Sequence, residues 1–123
     1  MTTPYPPTIA AEALLMRLKA NGIDYLFANG GTDFAPIIEA YVTGGAKGSA
    51  MPEPLIIPHE TAAIAMAHGY YLATGKPQAV MVHVNVGLAN CIMGLINAAS
   101  ENIPMVVLAG RTPVTEHQRL GSR

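Results

Sequence analysis

Leu55-Ile56-Ile57-Pro58-His59-Glu60-Thr61-Ala62-Ala63-Ile64-Ala65-Met66-Ala67 passes from an apolar run, through a proline and two titratable residues, into an alanine-rich segment almost free of charge. The short opening run, residues 55–57, reads as a buried strand. From Glu60 to Thr74 the chain reads as helix, with Gly75 placed to terminate it. A carboxylate at such a junction has few ways to stay hydrated, so its burial requires a specific partner. Only 12% of the chain is charged, which makes Glu60 the first candidate for chemistry rather than solubility.

The same alternation extends in both directions. Thr8 is the predicted N-cap of a first helix, with Ala11, Leu14, Leu15 and Leu18 on one face and Glu12, Arg17 and Lys19 elsewhere. Asn21-Gly22 stops that helix. Residues 23–28 read as a strand ending in the turn Asn29-Gly30-Gly31, and 33–42 as a helix with Pro36 in its first turn. Residues 43–54, rich in Gly, Ser and Pro, are expected to be irregular. Residues 79–84 form the next strand, 87–100 the next helix and 105–109 the last strand.

Strands apolar on both faces that alternate with helices predict an α/β fold, a doubly wound parallel sheet flanked by helices. Ligands of such sheets bind beyond the carboxyl ends of the strands. Those ends carry Asn29-Gly30-Gly31, His59-Glu60, His83-Val84-Asn85 and Gly110-Arg111. Every unusual feature of the chain falls on that one edge.

The 123 residues suit one small domain, half of them are apolar, and the net charge is −1. So few charges leave a surface expected to be partly covered, by oligomerisation or by a second domain. The seven Lys and Arg are scattered singly, unlike the basic stripe of a nucleic-acid binder. Residues 1–7 read as an extended leader without the basic and apolar regions of a signal peptide. No uncharged apolar run reaches the roughly 18 residues of a membrane span. A single cysteine, Cys91, gives no internal disulfide and no cysteine metal cluster, and points to a cytoplasmic setting.

Several catalytic motifs are absent. His59-Glu60-Thr61-Ala62-Ala63 opens like a zinc-protease motif but has alanine where the second histidine must stand, so no metal ligands are expected there. Gly30-Gly31-Thr32-Asp33 has neither P-loop nor dinucleotide-fingerprint spacing. There is no G-x-S-x-G elbow, and Cys91, on an apolar helix, is read as a structural thiol.

Taken together, Ile23-Asp24-Tyr25-Leu26-Phe27 into Asn29-Gly30-Gly31, then His59-Glu60, the helix ending Ala67-His68-Gly69-Tyr70-Tyr71-Leu72-Ala73-Thr74-Gly75-Lys76, Asn85-Val86-Gly87-Leu88-Ala89-Asn90 and residues 103–110 resemble one family. It is the pyrimidine-binding domain of thiamine-diphosphate-dependent enzymes such as acetolactate synthase and benzoylformate decarboxylase. The resemblance spans residues 8–115, leaving 116–123 as a tail or the start of an inter-domain linker. It implies that Glu60 is the carboxyl group that hydrogen-bonds a ring nitrogen of the aminopyrimidine and exchanges a proton there. Desolvation is expected to raise the Glu60 pKa towards the range useful for that exchange. The plain alternative is a Glu that merely complements a helix N-terminus.

The resemblance also implies roles for other residues. Gly87 and Asn90 match a Gly-x-x-Asn segment near the aminopyrimidine, although the usual Gly-Pro-Gly has become Asn85-Val86-Gly87. That departure weakens a claim to acetolactate synthesis specifically. His83 falls where benzoylformate decarboxylase-like sequences also carry His, as a substrate contact or proton relay; a hydrogen-bonded core histidine competes with that reading. Asn29, Gly30 and Gly31 match a turn lining the substrate side, where glycine permits positive φ, with a plain strand-to-helix turn as the alternative, and His59 either orients Glu60, faces the site, or is an ordinary strand-end residue. His68 is read as structural. Small residues Ala89, Gly94, Ala98 and Ala99 suit either a subunit interface or packing on the chain's own sheet.

No Gly-Asp-Gly occurs in the chain. In the family that motif belongs to a second domain that binds the cofactor diphosphate through Mg²⁺. The resemblance therefore implies a pyrimidine-binding part of an enzyme acting on 2-oxo acids or related acyl donors: a decarboxylase, a carboligase or an acyl-CoA lyase. Such a part is incomplete without a diphosphate-binding domain of the same or another chain and is expected to belong to a homo-oligomer. The chain is read as part of a larger enzyme or as a naturally split subunit. A catalytically silent α/β interaction or regulatory module is the alternative from another class.

Overall fold

The computed structural model describes residues 6–111. Pro6 and Pro7 carry no regular structure, while the rest of the leader, the domain end at 115 and the tail over 116–123 lie outside the described residues. Four strands form one sheet: β1 (Tyr25–Asn29), β2 (Glu53–Ile56), β3 (Ala79–Val82) and β4 (Val106–Ala109), in the order β2-β1-β3-β4. All neighbours are parallel, with Leu26 paired to Pro54 on one side and to Ala79 on the other, and Val80 paired to Val107.

Four helices cover the two faces: α1 (Ala10–Ala20), α2 (Ala35–Ala46), α3 (Glu60–Thr74) and α4 (Val84–Ser100). Successive strand residues point to opposite faces. Leu26, Ala28, Ala79 and Met81 therefore pack with Leu15 and Leu18 of α1 and Ile37 and Ala40 of α2. Phe27, Val80 and Val82 pack with Ala63, Ile64 and Ala67 of α3 and with Cys91 of α4. The sheet is doubly wound, as its pattern predicts. Each fully buried Leu or Ile contributes about 1.5–3 kcal/mol relative to an exposed one, and the central strands β1 and β3 carry most of that burial.

The sequence reading departs from the structure at element boundaries and in β2, which lies at the sheet edge and is largely exposed (Ile56 79%) where a buried strand is expected. Thr8 is not the N-cap of α1; Ile9 holds that position without a side-chain cap. Thr8 instead donates its backbone N–H and its hydroxyl to Glu12 Oε2, each at 2.9 Å. The buried face of α1 is Glu12, Leu15 and Leu18, whereas Leu14 is 38% exposed. Helix α2 continues four residues past the expected end at Val42, because Gly44 lets it pack closely: a Cβ there would meet Met51 Cε at 3.0 Å and Glu12 Oε1 at 3.3 Å. Pro54 lies inside β2, which is an edge strand and tolerates a missing N–H. Gly22 (φ +85°) and Gly75 (φ +71°) end α1 and α3 as expected.

Candidate active site at the carboxyl edge

Because all four strands run the same way, their carboxyl ends share one edge. The segments after β1, β2, β3 and β4 bring there Asn29 to Gly31, His59-Glu60, His83 and Gly110. At the N-terminus of α3, Glu60 is the first helical residue and His59 the N-cap. The Glu60 side chain is 12% exposed. Its Oε2 accepts a hydrogen bond from Asn90 Nδ2 at 3.1 Å, and Thr61 Oγ1 donates to the Asn90 carbonyl at 3.2 Å. Asn90 thus ties α4 to the start of α3 on both sides of its own residue.

Gly87 explains why the carboxylate fits. A Cβ at Gly87 would stand 3.0 Å from Val82 Cβ and 3.2 Å from Glu60 Oε1. The Gly87 N–H also donates to the His83 carbonyl at 2.8 Å, which joins the turn after β3 to the Glu60 neighbourhood. One oxygen of Glu60 is therefore fixed by Asn90, and the other lies against the buried backbone of Gly87, where a side chain would crowd both it and Val82.

The Glu60 pKa corrects the expectation from desolvation: it is lowered, not raised. The backbone N–H of Glu60 itself and the Asn90 amide favour the charged form, and nearby His59 and His83 add to this when protonated. Burial opposes them and loses. At the start of a helix, the N–H groups of the first turn face the carboxylate and outweigh partial loss of water.

His83 and Asp33 form the second cluster. His83 Nδ1 and Asp33 Oδ1 are 2.6 Å apart, with the two side chains 38% and 15% exposed. Asp33 Oδ2 accepts the N–H groups of Gly110 (3.1 Å) and Val84 (3.4 Å). Burial raises the Asp33 pKa, but the His83 hydrogen bond and the backbone N–H groups of Val84 and of Asp33 itself lower it further, so the carboxylate stays ionised. Sequence reasoning picked out His83 and missed Asp33. The only signal was an acid just past the glycine turn after β1, and nothing local couples it to a histidine 50 positions away.

Other expected site residues have more local duties. Asn29 Nδ2 donates to the Ile57 carbonyl at 2.9 Å, tying the end of β1 to the end of β2. His59 is 62% exposed, and its Nδ1 accepts the Thr61 N–H at 3.2 Å, so it caps α3. Its Nδ1 is 3.9 Å from Glu60 Oε2. The turn does not use positive φ: Gly31 is extended (φ −145°), and its glycine is required instead because a Cβ would overlap the His83 ring. Gly30 has no such need, since a Cβ would make ordinary contact with Phe34 at 3.7 Å. His68 pairs with Glu101 at 3.2 Å across α3 and α4. Cys91 is buried beneath the site, and burial with the Glu60 charge raises its pKa. Of the small residues, Gly94 lies against Ile64 and Ala98 is buried, so both pack within the chain, whereas Ala89 and Ala99 are exposed.

A doubly wound parallel sheet with its polar groups gathered at the carboxyl edge defines an α/β ligand-binding domain. Residues 9–122 match the family described as "Thiamine pyrophosphate enzyme, N-terminal TPP binding domain", and the chain belongs to that family. The acetolactate synthase large subunit of Haemophilus influenzae is 34% identical over 101 residues, 82% of this chain and 17% of that protein. The acetolactate synthase isozyme 2 large subunit of Escherichia coli is 32% identical over 101 residues, again 82% and 17%. The crystal structure of benzoylformate decarboxylase from Polynucleobacter necessarius superposes with a TM-score of 0.73 at 17% identity, covering 91% of this chain and 20% of that one. The last comparison concerns the fold alone. The chain spans about one sixth of the length of these synthase relatives.

Proposed function

We propose that this chain supplies the aminopyrimidine side of a thiamine-diphosphate site in an enzyme acting on 2-oxo acids or related acyl donors, as a lyase or a transferase. The observation that carries the reading is Glu60, an ionised carboxylate at a helix N-terminus with one oxygen held by Asn90 and the other against the bare backbone of Gly87, without a side-chain partner among the described residues. An aminopyrimidine presents ring nitrogens and an amino group, so a carboxylate oxygen with spare acceptor capacity suits it in hydrogen bonding. The bound cofactor would supply a nucleophilic carbon and an electron sink for cleavage beside a carbonyl.

The chain's residues then have distinct tasks. Glu60 accepts and returns a proton at its free oxygen, and Asn90 fixes the rotamer from which it does so. Gly87 keeps that oxygen unobstructed. His83 serves the substrate side as a carboxylate contact or proton carrier, with Asn29, Gly30, Gly31 and His59 forming the surrounding wall. The diphosphate and its Mg²⁺ belong to a second domain, contributed by the same or another chain in a homo-oligomer. Val86, Ile92, Met93 and Ile96, each about half or more exposed along α4, support burial of that helix against a partner. A single buried cysteine is consistent with a cytoplasmic setting, which belongs to the same proposal.

The test is to combine the chain with a diphosphate-binding domain and follow Mg²⁺-dependent thiamine-diphosphate binding and deuterium exchange at the thiazolium carbon. Saturable binding with fast exchange that E60Q abolishes supports the reading. A stable complex that never takes up cofactor points to the silent interaction module instead.

A further inference from the structure

We propose that Asp33 is a positioning residue for His83: it holds the imidazole in the Nδ1–H tautomer, so that Nε2 is the proton-accepting atom the ring offers at the carboxyl edge. The inference deepens the proposed function and rests on it for the catalytic part, while the tautomer itself can be read without any cofactor.

The hydrogen-bond inventory fixes the tautomer. An ionised carboxylate only accepts, so the 2.6 Å contact requires the proton on Nδ1. Asp33 remains ionised because its second oxygen is held by the N–H groups of Val84 and Gly110. Those two contacts leave the carboxylate little freedom to turn away from the ring. Among the described residues no hydrogen-bond partner meets Nε2, and the His83 side chain is 38% exposed.

Three neighbouring positions are shaped to this pair. A Cβ on Gly31 would overlap the His83 ring, and a Cβ on Gly110 would overlap the Asp33 carboxylate. Val84 takes φ +39°, a conformation that a β-branched residue rarely adopts. Its N–H is one of the donors to Asp33. Two clearances and one strained residue around a single Asp–His contact exceed what capping a loop requires, and such strain persists only where the surroundings impose it. A neutral imidazole with its Nδ1–H on a carboxylate is the arrangement that makes Nε2 a better base and fixes its direction. Beside Glu60, it gives the site a second proton acceptor, separate from the one assigned to the aminopyrimidine.

The experiment measures ¹⁵N imidazole shifts of His83 in the full chain at a pH where the ring is neutral. The expected result is protonated Nδ1 and unprotonated Nε2 in the native chain, with loss of that preference in D33N. An unprotonated Nδ1 in the native chain, or the same tautomer in both, overturns the proposal. In the assembled enzyme, kcat should fall about 10²-fold in D33N with KM little changed, and D33N should add nothing in an H83A background. Additive losses would mean that Asp33 serves only the loop, which also overturns it. Should D33N fail to fold, G31A displaces the ring while leaving Asp33 its backbone donors. Loss of the Nδ1–H signature in G31A supports the contact, and its survival refutes it. Native tautomer with an E60Q enzyme that stays active would sink the thiamine-site reading but not the tautomer assignment; the reverse pattern would sink the dyad alone.

Discussion

Glu12 and Glu60 are two carboxylates near the starts of helices, and their surroundings separate a structural acid from one available for chemistry. Glu12 is completely buried. Its Oε2 accepts from the Thr8 N–H, the Thr8 hydroxyl and Lys47 Nζ, and its Oε1 accepts from Ser49. The Thr8 N–H leads, and with the other partners it overcomes burial and brings the Glu12 pKa down to about 2. Glu60 is also held ionised, but by its own helix N–H and one side-chain amide, and its second oxygen has no side-chain partner among the described residues. Saturation marks the first site and spare acceptor capacity the second. Burial alone would have ranked them the wrong way round.

The largest effect expected from breaking this contrast is at Glu60. E60Q keeps the shape and the Asn90 contact but removes the proton acceptor, so thiazolium deuterium exchange in the assembled enzyme should drop about 10³-fold. The melting temperature of the chain should fall slightly, because the ionised carboxylate favours the folded state. An enzyme that exchanges at the native rate would reduce Glu60 to the rank of Glu12.

Next comes G87A, which fills the space beside the free oxygen. Its Cβ would sit 3.2 Å from Glu60 Oε1 and 3.0 Å from Val82 Cβ. Thiamine-diphosphate affinity of the complex should weaken about tenfold, corresponding to about 1.4 kcal/mol. Unchanged affinity in titration calorimetry would move the ligand elsewhere.

Glu12 should respond only in stability. Its folded pKa lies below the ordinary value of 4.5, so its contribution is complete above 4.5 and is lost as pH falls from there through about 2. Acid unfolding of E12Q should show less pH dependence across that window than the native chain. Exchange activity per folded molecule should be unchanged, and a loss there would break the structural assignment.

The smallest effect on the cofactor site is expected where its two helices meet. A Cβ at Gly94 would overlap Ile64, so G94A should destabilise the chain by about 1–3 kcal/mol through over-packing of α3 on α4. Urea unfolding measures it. Cofactor affinity should follow only as far as α4 shifts Asn90.

Much of the fold was legible because its signals are local. The runs that became β1 and β3, the helix from Glu60 to Thr74 and its stop at Gly75 follow from hydrophobic period and turn chemistry. Boundaries were missed where a tertiary contact overrode local preference. Gly44-Gly45 falls in the stretch expected to be irregular, yet α2 runs through it because the bare Gly44 surface lets α1 and Met51 approach. Thr8 reads as a cap, yet Glu12 claims both of its donors. In the site, Glu60 and His83 stood out as polar residues at strand ends. Asp33 did not, since an acid just past a glycine turn is ordinary until a histidine meets it.

The sequence by itself determined the alternation of strands and helices, and with it the edge on which Glu60, His59, His83 and Gly110 gather. A parallel sheet has one carboxyl edge, so strand order along the chain suffices for that. Only the tertiary structure decided that Glu12 is the saturated carboxylate, that Gly31 makes room for a ring instead of turning the backbone, and that Asp33 holds His83. These depend on groups 37 to 77 positions apart meeting within a few ångströms. Distances of that kind are set by packing the helices on the sheet, which no local pattern encodes.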